Sequence, residues 1–312
     1  MNIAPIIITV YTRIKHFKRT IEALRKNSLA KDSELYIVSD AAYRSEDILL
    51  VEQVRCFAEH IEGFKKTHLL FWKDNLGPST SWKKAIEIVL QNHDSFIGME
   101  DDILVAPSYL QYLNDGLQFY KEDKKVFCIC AFTAPFRIPK YYNKDVYFYN
   151  GLSPWGFAIW KDRYEKIDQN YYDRYFELKK NKVLYKKFLS IGFYIKGILI
   201  ADSKGEIEAD DMRWYYHMVK NDMCSVFPVV SKTQNWGFDG TGIHCNDKNY
   251  FWTKPELDER NQLTTFIPFK GYNEDILRNH RKFQDKINGG LIAKYLKYTW
   301  IYYIWKRLKH KK

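Results

Sequence analysis

Long apolar runs are missing from this 312-residue sequence. The apolar run near its start, Ile6–Val10, has five residues and is followed by Tyr-Thr-Arg. A membrane-spanning helix needs about 20 apolar residues, and the apolar core of a signal peptide needs about 7–15. The sequence therefore predicts neither, and we expect a cytoplasmic protein, peripheral on the inner face of the plasma membrane.

Cysteine is scarce and shows no metal-binding or disulfide spacing. The five cysteines include no C-x-x-C pair, and their number is odd. This argues against a disulfide scaffold or a zinc ribbon and favours free thiols in a reducing compartment. Cys128 and Cys130 alternate within Val126–Cys130, which predicts that both lie on one face of a strand.

The net positive charge is modest in the body of the chain and concentrated at its end. From Lys294 onward there are seven Lys or Arg and no Asp or Glu, against a net charge of +11 for the whole chain. No basic recognition motif appears elsewhere, so we expect no nucleic acid partner. The aromatic, basic segment 289–312 predicts a helix that lies on an anionic membrane surface. The alternative is a helix packed on the rest of the protein or on another subunit.

Strand and helix patterns alternate through the first hundred residues. Such alternation predicts an α/β fold with a mainly parallel sheet flanked by helices. The predicted strands are 5–10, 34–40, 69–72 and 94–99, and the predicted helices are 16–26, 45–60 and 79–90. The second half is more irregular: helices at 108–122, 172–189 and from Asp210, strands at 126–131, 146–150 and 225–230, and Gly-rich turns at 153–160 and 236–243.

Acidic residues follow two of the predicted strands. Asp40 ends one strand, and Glu100, Asp101 and Asp102 follow another. Parallel sheets bind ligands at the carboxyl ends of their strands. Three consecutive acids repel one another unless a cation is present, and Mg²⁺ or Mn²⁺ commonly joins carboxylates to substrate phosphates. The pattern predicts a metal site, and the alternative is a solvated acidic turn.

The segment Glu100–Leu110, E-D-D-I-L-V-A-P-S-Y-L, resembles the metal-binding segment of N-acetylglucosaminyltransferase I and related GT-A glycosyltransferases, among them bacterial family 2-like glycan-synthesis transferases. Six further segments match in family order across roughly residues 5–245: Val10–Arg13, Ser39–Asp40, Asn75–Gly77, Ser153–Trp160, Asp210–Trp214 and Gly237–His244. The resemblance implies a GT-A, Rossmann-like sheet. It divides the chain into a nucleotide-sugar-binding half (1–107), an acceptor-binding and catalytic half (108–288) and a basic aromatic helix (289–312).

The resemblance also implies a role for particular residues. Asp102 and His244 would bind Mn²⁺ or Mg²⁺, and Asp211 or Asp210 would be the catalytic base. The nucleotide-sugar donor, UDP-linked by analogy, would be contacted by Thr9, Tyr11, Arg13, Asp40, Asn75, Gly77, Glu100 and Asp101. The acceptor, a glycan or a lipid-linked oligosaccharide, would meet Trp155, Gly156, Phe157 and Arg213.

The implied activity is inverting transfer of a hexosyl or N-acetylhexosaminyl group in bacterial surface polysaccharide or lipopolysaccharide synthesis. A sugar nucleotidyltransferase would have a glycine-rich phosphate loop after the first strand, and Val10–Arg13 contains no glycine. An inactive, glycan-binding relative would not need its acids. Plainer alternatives stay open: capping acids at Asp210 and Asp211, a structural His244, core aromatics at Trp155, Phe157 and Trp160, and a solvated Arg13.

Overall fold

The computed structural model of the chain describes residues 3–170, 173–241, 251–260 and 262–288. Two sequence predictions, metal binding by His244 and a membrane-surface helix at 289–312, lie outside these ranges. None of the helices within the ranges combines the length and apolarity that crossing a membrane requires.

Strands form one large sheet and one small sheet. In chain order the described strands are β1 (Ile6–Val10), β2 (Glu34–Ser39), β3 (Lys66–Phe71), β4 (Ser95–Glu100), β5 (Ile103–Val105), β6 (Val126–Cys130), β7 (Val146–Tyr149), β8 (Phe157–Trp160), β9 (Cys224–Pro228) and β10 (Thr233–Asn235). The large sheet has the order β3-β2-β1-β4-β8-β6-β9-β7. Only β8 and β7 run against its other strands. β5 pairs antiparallel with β10 in the small sheet.

Helices lie in several of the connections between strands. They are α1 (Ile14–Arg25), α2 (Ile48–Glu59), α3 (Pro78–Leu90), α4 (Tyr109–Phe119), α5 (Lys161–Tyr164), α6 (Arg174–Lys180), α7 (Lys182–Leu189), α8 (Tyr194–Ser203), α9 (Asp210–Lys220) and α10 (Glu274–Ile287). Short 3-10 helices lie at Ala30–Asp32, Ser45–Asp47 and Phe251–Thr253. The predicted fold class, a mainly parallel α/β sheet flanked by helices, is confirmed.

The centre of the sheet is apolar on both faces, as a parallel sheet covered by helices requires. Ile6, Ile7 and Ile8 of β1 are fully buried, although neighbouring residues in a strand point to opposite faces. α1 packs beside β5, where the hydroxyl of Thr20, in the middle of the helix, donates to the carbonyl oxygens of Asp101 and Ile103 at 2.7 and 3.1 Å. This contact fixes the middle of α1 beside the acidic residues.

Several elements differ from the sequence prediction. The stretch 153–160, predicted as a turn, ends in the buried strand β8. The helix predicted over 172–189 is two helices, because the side chain of Asn181 accepts the backbone N–H of Leu184 and starts α7 there. The short strands β5 and β10 and the helices α5, α8 and α10 were not predicted.

The described structure divides into two compact units that do not follow chain order. One unit, Met1–Pro135, Asn143–Lys166 and Cys224–Lys270, contains both sheets and α1–α5. The other, Phe136–Tyr142, Ile167–Met223 and Gly271–Lys312, contains α6–α10 among its described residues. We call them the sheet unit and the helical unit. The predicted division at residues 107 and 288 is a division by function, and it stays a prediction.

Candidate active site

The carboxyl ends of three neighbouring parallel strands bring the predicted donor-side residues to one edge of the sheet unit. β1 lies between β2 and β4, with Val10 in register with Ser39, and Thr9 in register with Glu100. The residues that follow these strands therefore come out side by side. Thr9 is the penultimate residue of β1 and is half-buried at this edge.

Arg13 joins the two aspartates that follow β4. Its guanidinium is hydrogen-bonded to Oδ1 of Asp101 and lies 2.8 Å from Oδ2 of Asp102. Both carboxylates are almost wholly buried, with Asp101 3% and Asp102 4% exposed. The interpretation of Arg13 as a solvated first-turn residue is therefore wrong, and so is the alternative that Glu100–Asp102 is a solvated acidic turn.

Burial and repulsion between the acids raise the pKa of Glu100 and of Asp101. Burial raises the pKa of Asp101 to about 7, although Arg13 pulls the pKa down. Burial and the two neighbouring aspartates raise the pKa of Glu100. Burial alone would lower the pKa of Arg13, but the two aspartates reverse this and the net shift is upward. The cluster is thus poorly neutralised by one guanidinium and attracts additional positive charge.

The carboxylates of this cluster can supply part of the ligand shell of a divalent cation. Among the described residues no three His, Cys, Asp or Glu side chains form a complete metal site. Mg²⁺-type ions, however, are usually held by one or two carboxylates together with substrate phosphates and water. The Oδ1 atom of Asp102 is buried and has no hydrogen-bond partner in the described structure. An unpartnered carboxylate oxygen at this position fits a hard cation.

A loop that follows β10 closes over the same carboxylates. The backbone N–H of Trp236 donates to the carbonyl oxygen of Asp102 at 3.0 Å. A Cβ atom on Gly237 would collide with the Asp102 carboxylate and would lie 2.8 Å from Nη1 of Arg13. His16 of α1 contacts the carbonyl oxygen of Trp236 at 3.2 Å and the carboxylate of Asp239 at 3.1 Å. Gly237 belongs to the sequence motif Gly237–His244, but its close packing against Asp102 was not predicted.

Asp40, Asn75 and Gly77 form a second predicted group, beside β2. The Asp40 carboxylate accepts the backbone N–H groups of Ala41, Leu76 and Gly77 at 2.8–3.1 Å. Asn75 donates its side-chain N–H to the carbonyl oxygen of Ala41 at 2.6 Å. Gly77 has φ +75°, and a proline follows it in the first turn of α3. In this structure Asp40 fixes the loop that starts α3.

Tyr11 is held by two residues of the segment that follows β2. Its hydroxyl donates to Oδ2 of Asp47 at 2.9 Å and accepts the backbone N–H of Tyr43 at 2.6 Å. The ring is thereby fixed directly after β1, next to the backbone that leads to Arg13.

The predicted acceptor residues Trp155, Gly156 and Phe157 separate into different environments. Phe157 begins β8, is 5% exposed and packs edge-to-face on Trp82 and Phe96, so its side chain is part of the core. Gly156 has φ +89°, and a Cβ atom there would lie 3.0 Å from the Tyr109 hydroxyl. The prediction that Phe157 contacts the acceptor is therefore corrected, because the strand carries its ring into the sheet.

Trp155 is half-buried and belongs to an aromatic cluster. Its ring stacks on Trp252 with centroids 5.6 Å apart, and it meets Phe132 and Phe238 edge-to-face at 4.5 and 5.7 Å. Thr233 donates to the Trp155 carbonyl oxygen at 2.8 Å. The three partner rings were not predicted, since they are distant from Trp155 in sequence.

The acids at the start of α9, in the helical unit, have unequal surroundings. Arg213, one turn along, is buried and forms an ion pair with Asp210. Glu208 lies 3.9 Å from the same guanidinium. Burial raises the pKa of Asp211 to about 6, Asp210 adds to the shift, and the backbone N–H of Met212 opposes it. Within the described ranges Asp211 has no ion-pair partner. The predicted substrate contact of Arg213 is thus an internal pair in this structure.

A structural comparison finds solved structures that overlap part of this chain. A mannosyltransferase from Pyrobaculum calidifontis, solved with GDP-Man and Mn²⁺, is 14% identical with a TM-score of 0.39, over 51% of this chain and 45% of that one. TarS of S. aureus is 16% identical with a TM-score of 0.31, over 46% and 24%. Its fragment 1–349 is 16% identical with a TM-score of 0.32, over 50% and 46%.

This chain thus spans less than half the length of each of these three proteins. No family model matches it, and no curated protein sequence does. Any function must therefore be argued from the residues of the site.

Proposed function

We propose that this protein is an inverting, metal-dependent glycosyltransferase that moves a sugar from a nucleotide-sugar, UDP-linked by analogy, to a hydroxyl of a glycan. The main observation behind this proposal is the buried cluster of Glu100, Asp101 and Asp102 at the carboxyl ends of parallel strands. The raised pKa values of Glu100 and Asp101, the unpartnered oxygen of Asp102 and the adjacent Arg13 support a site for a cation and a diphosphate.

The donor side requires charge stabilisation at the departing phosphates. Negative charge develops on the nucleoside diphosphate as the glycosidic bond breaks, and a bound Mn²⁺ or Mg²⁺ supplies electrostatic stabilisation. Asp102 would bind the ion, and Asp101 and Glu100 would orient the site. His244 is a further proposed ligand, from the sequence resemblance alone. Thr9, Tyr11, Asp40, Asn75 and Gly77 would shape the nucleotide pocket.

The acceptor side requires a base, because a sugar hydroxyl is a poor nucleophile at neutral pH. A carboxylate with a pKa near the working pH combines the right protonation state with a useful affinity for the proton. Asp211, with a pKa of about 6, meets this requirement. Asp210 is paired with Arg213 and is better suited to holding the start of α9. We therefore assign the base to Asp211, which takes the acceptor's proton in a single displacement.

An aromatic surface supports recognition of a sugar ring. Tyr and Trp rings offer flat apolar faces that pack against the C–H groups of a pyranose. Trp155 lies with Trp252 and Phe238 in the aromatic cluster. We assign acceptor binding to Trp155 rather than to Phe157, which is in the core.

The basic tail supports a membrane-linked acceptor. The seven Lys and Arg residues from Lys294 onward would each contribute about 1 kcal/mol at an anionic surface. We propose that the segment 289–312 holds the enzyme on the inner face of the membrane, next to a lipid-linked oligosaccharide of surface polysaccharide synthesis. The support for this step is the sequence of that segment.

A donor panel tests the activity. Purified protein is mixed with Mn²⁺ and one of several UDP-, GDP- or CMP-sugars, and its melting temperature is measured. We expect one nucleotide class to raise the melting temperature only when Mn²⁺ is present, and the same donor to be slowly hydrolysed. Absence of stabilisation by every donor would refute the proposal, and release of pyrophosphate from a nucleoside triphosphate and a sugar phosphate would identify a nucleotidyltransferase instead.

A further inference from the structure

Arg13 occupies the position in which a metal-dependent site would receive its cation. In the described structure the ion pairs of Asp101 and Asp102 are both made with this one guanidinium. The side chains of the two aspartates are 4% and 3% exposed, whereas that of Arg13 is 19% exposed. The carboxylates are therefore fixed in the interior, and the arginine reaches them from the partly open side.

The pairing uses carboxylate oxygens that a divalent cation would need. Arg13 is bonded to Oδ1 of Asp101 and lies against Oδ2 of Asp102, which leaves the buried Oδ1 of Asp102 without a partner. A cation that bound there beside the guanidinium would meet its positive charge at short range in a poorly screened environment. The two cations therefore compete for the same carboxylates.

The surrounding backbone leaves little room for both. Gly237 approaches so closely that even a methyl group would collide with the Asp102 carboxylate and press on Nη1 of Arg13. The hydroxyl of Thr20 holds the backbone of Asp101 from the other side. Since neither wall can retreat easily, entry of a divalent cation requires the guanidinium to leave.

We propose that Arg13 is an internal counter-ion. It supplies part of the positive charge that the acidic cluster needs while the donor is absent, and its guanidinium moves to the nucleoside diphosphate when metal and nucleotide bind. An arginine fork matches phosphate oxygens in a bidentate manner, so the diphosphate is a suitable second partner. This inference rests on the proposed function, because it requires that the site binds a metal with a nucleotide.

Metal and nucleotide binding are coupled as a consequence. Without nucleotide, Mn²⁺ must displace Arg13 from its carboxylates with no new partner for the guanidinium, so Mn²⁺ alone binds weakly. With nucleotide present, the displaced guanidinium pairs with phosphate. Each ligand then strengthens the binding of the other by the same factor.

Mn²⁺ titration tests this role, with free Mn²⁺ measured by electron paramagnetic resonance. The titration is done without nucleotide, and with UDP or GDP in separate arms. Without nucleotide, Arg13→Gln should bind Mn²⁺ about tenfold tighter than the wild type, because a like charge is removed. Nucleotide should then increase its Mn²⁺ affinity less than in the wild type. Arg13→Lys, which keeps the charge, should bind Mn²⁺ as weakly as the wild type.

Arg19 provides a matched control. Arg19 lies on α1, the helix that begins directly after Arg13, and its guanidinium stacks on the Trp236 ring at 3.5 Å, close to the same loop. It makes no ion pair in the described structure. Arg19→Gln removes the same charge from the protein and should leave Mn²⁺ binding unchanged. If it tightened binding as much as Arg13→Gln, a general charge effect would replace the counter-ion role.

A second pair of variants tests the same role in case Arg13→Gln does not fold. Asp101→Asn removes one carboxylate, so Arg13→Gln/Asp101→Asn restores the charge balance and can be compared with Asp101→Asn alone. The double variant should bind Mn²⁺ more tightly than the single one. Equal affinity, in a protein whose wild type binds Mn²⁺ more tightly with nucleotide, would overturn the role of Arg13 only. No Mn²⁺ binding by any variant, with any nucleotide, would overturn the metal-dependent function itself.

Discussion

Two acidic groups in this protein are each accompanied by one arginine, but the arginine is shared differently. In the sheet unit, Arg13 contacts both Asp101 and Asp102. In the helical unit, Arg213 pairs with Asp210, and Asp211 forms no ion pair among the described residues. The arginine that bridges Asp101 and Asp102 lies between the two carboxylates of its group, whereas Arg213, paired with Asp210 and near Glu208, leaves Asp211 with a raised pKa. We therefore propose charge binding for the first group and proton transfer for the second.

The largest expected effect is on the rate of transfer. Asp211→Asn removes the proposed base and keeps the shape of the side chain, so transfer should fall by about 10²- to 10⁴-fold. Donor affinity should be unchanged, because the base acts mainly in the transition state. The rate and the donor Kd are measured on the same preparation. Transfer within a few-fold of the wild type would remove Asp211 from the mechanism.

The same substitution should stabilise the folded protein at neutral pH. Asp211 holds its proton more tightly when folded than when unfolded, since burial raises its pKa to about 6. Its contribution to stability is complete below about pH 4 and is lost as the pH rises through 6. At pH 7, Asp211→Asn should therefore increase the free energy of unfolding by roughly 1–3 kcal/mol. Urea denaturation at pH 4 and pH 7 checks this: a gain at both pH values would point to another cause.

A smaller effect is expected in the pH profile of the wild type. A base must be deprotonated, so kcat/KM should fall about tenfold per pH unit below the pKa of Asp211, near pH 6. Above that pH the profile should level off until another group titrates. The measurement is made at saturating Mn²⁺, and a rate independent of pH between 5 and 7 would contradict the assignment.

Asp210→Asn should have the smallest effect of this series. Because Asp210 contributes to the raised pKa of Asp211, its loss should move the acid limb of the profile to lower pH by roughly half a unit. The rate near pH 7 should stay within about threefold of the wild type. A loss of transfer as large as that expected for Asp211→Asn would exchange the roles of the two residues.

The sequence predicted much of the fold where its patterns are regular. The apolar strands β1, β2 and β4 are followed directly by Tyr11, Asp40 and Asp101, so strand position and site position follow from one signal. β8 was missed because Pro154 and Gly156 read as a turn, and because its four buried residues show no alternation. α10 was missed although Asn273 caps it, since the segment around it gives little apolar pattern.

The pairing within the site could not be predicted from sequence. Arg13 and Asp101 are 88 positions apart, and nothing local to either residue specifies the other. The same holds for Gly237, which packs on Asp102 from a loop more than a hundred residues away. By contrast, Asp210 and Arg213 lie three positions apart on one helix, a spacing at which side chains of opposite charge meet.

The central claim is that Asp102 is a ligand of a catalytic cation, and one titration tests it most directly. Donor binding to the wild type and to Asp102→Asn is measured by calorimetry with Mn²⁺ and with EDTA, using the nucleotide-sugar that stabilises the wild type. The wild type should bind at least about tenfold more tightly with Mn²⁺, and Asp102→Asn should bind equally weakly in both conditions. An Asp102→Asn protein that kept its full Mn²⁺-dependent affinity would contradict the account.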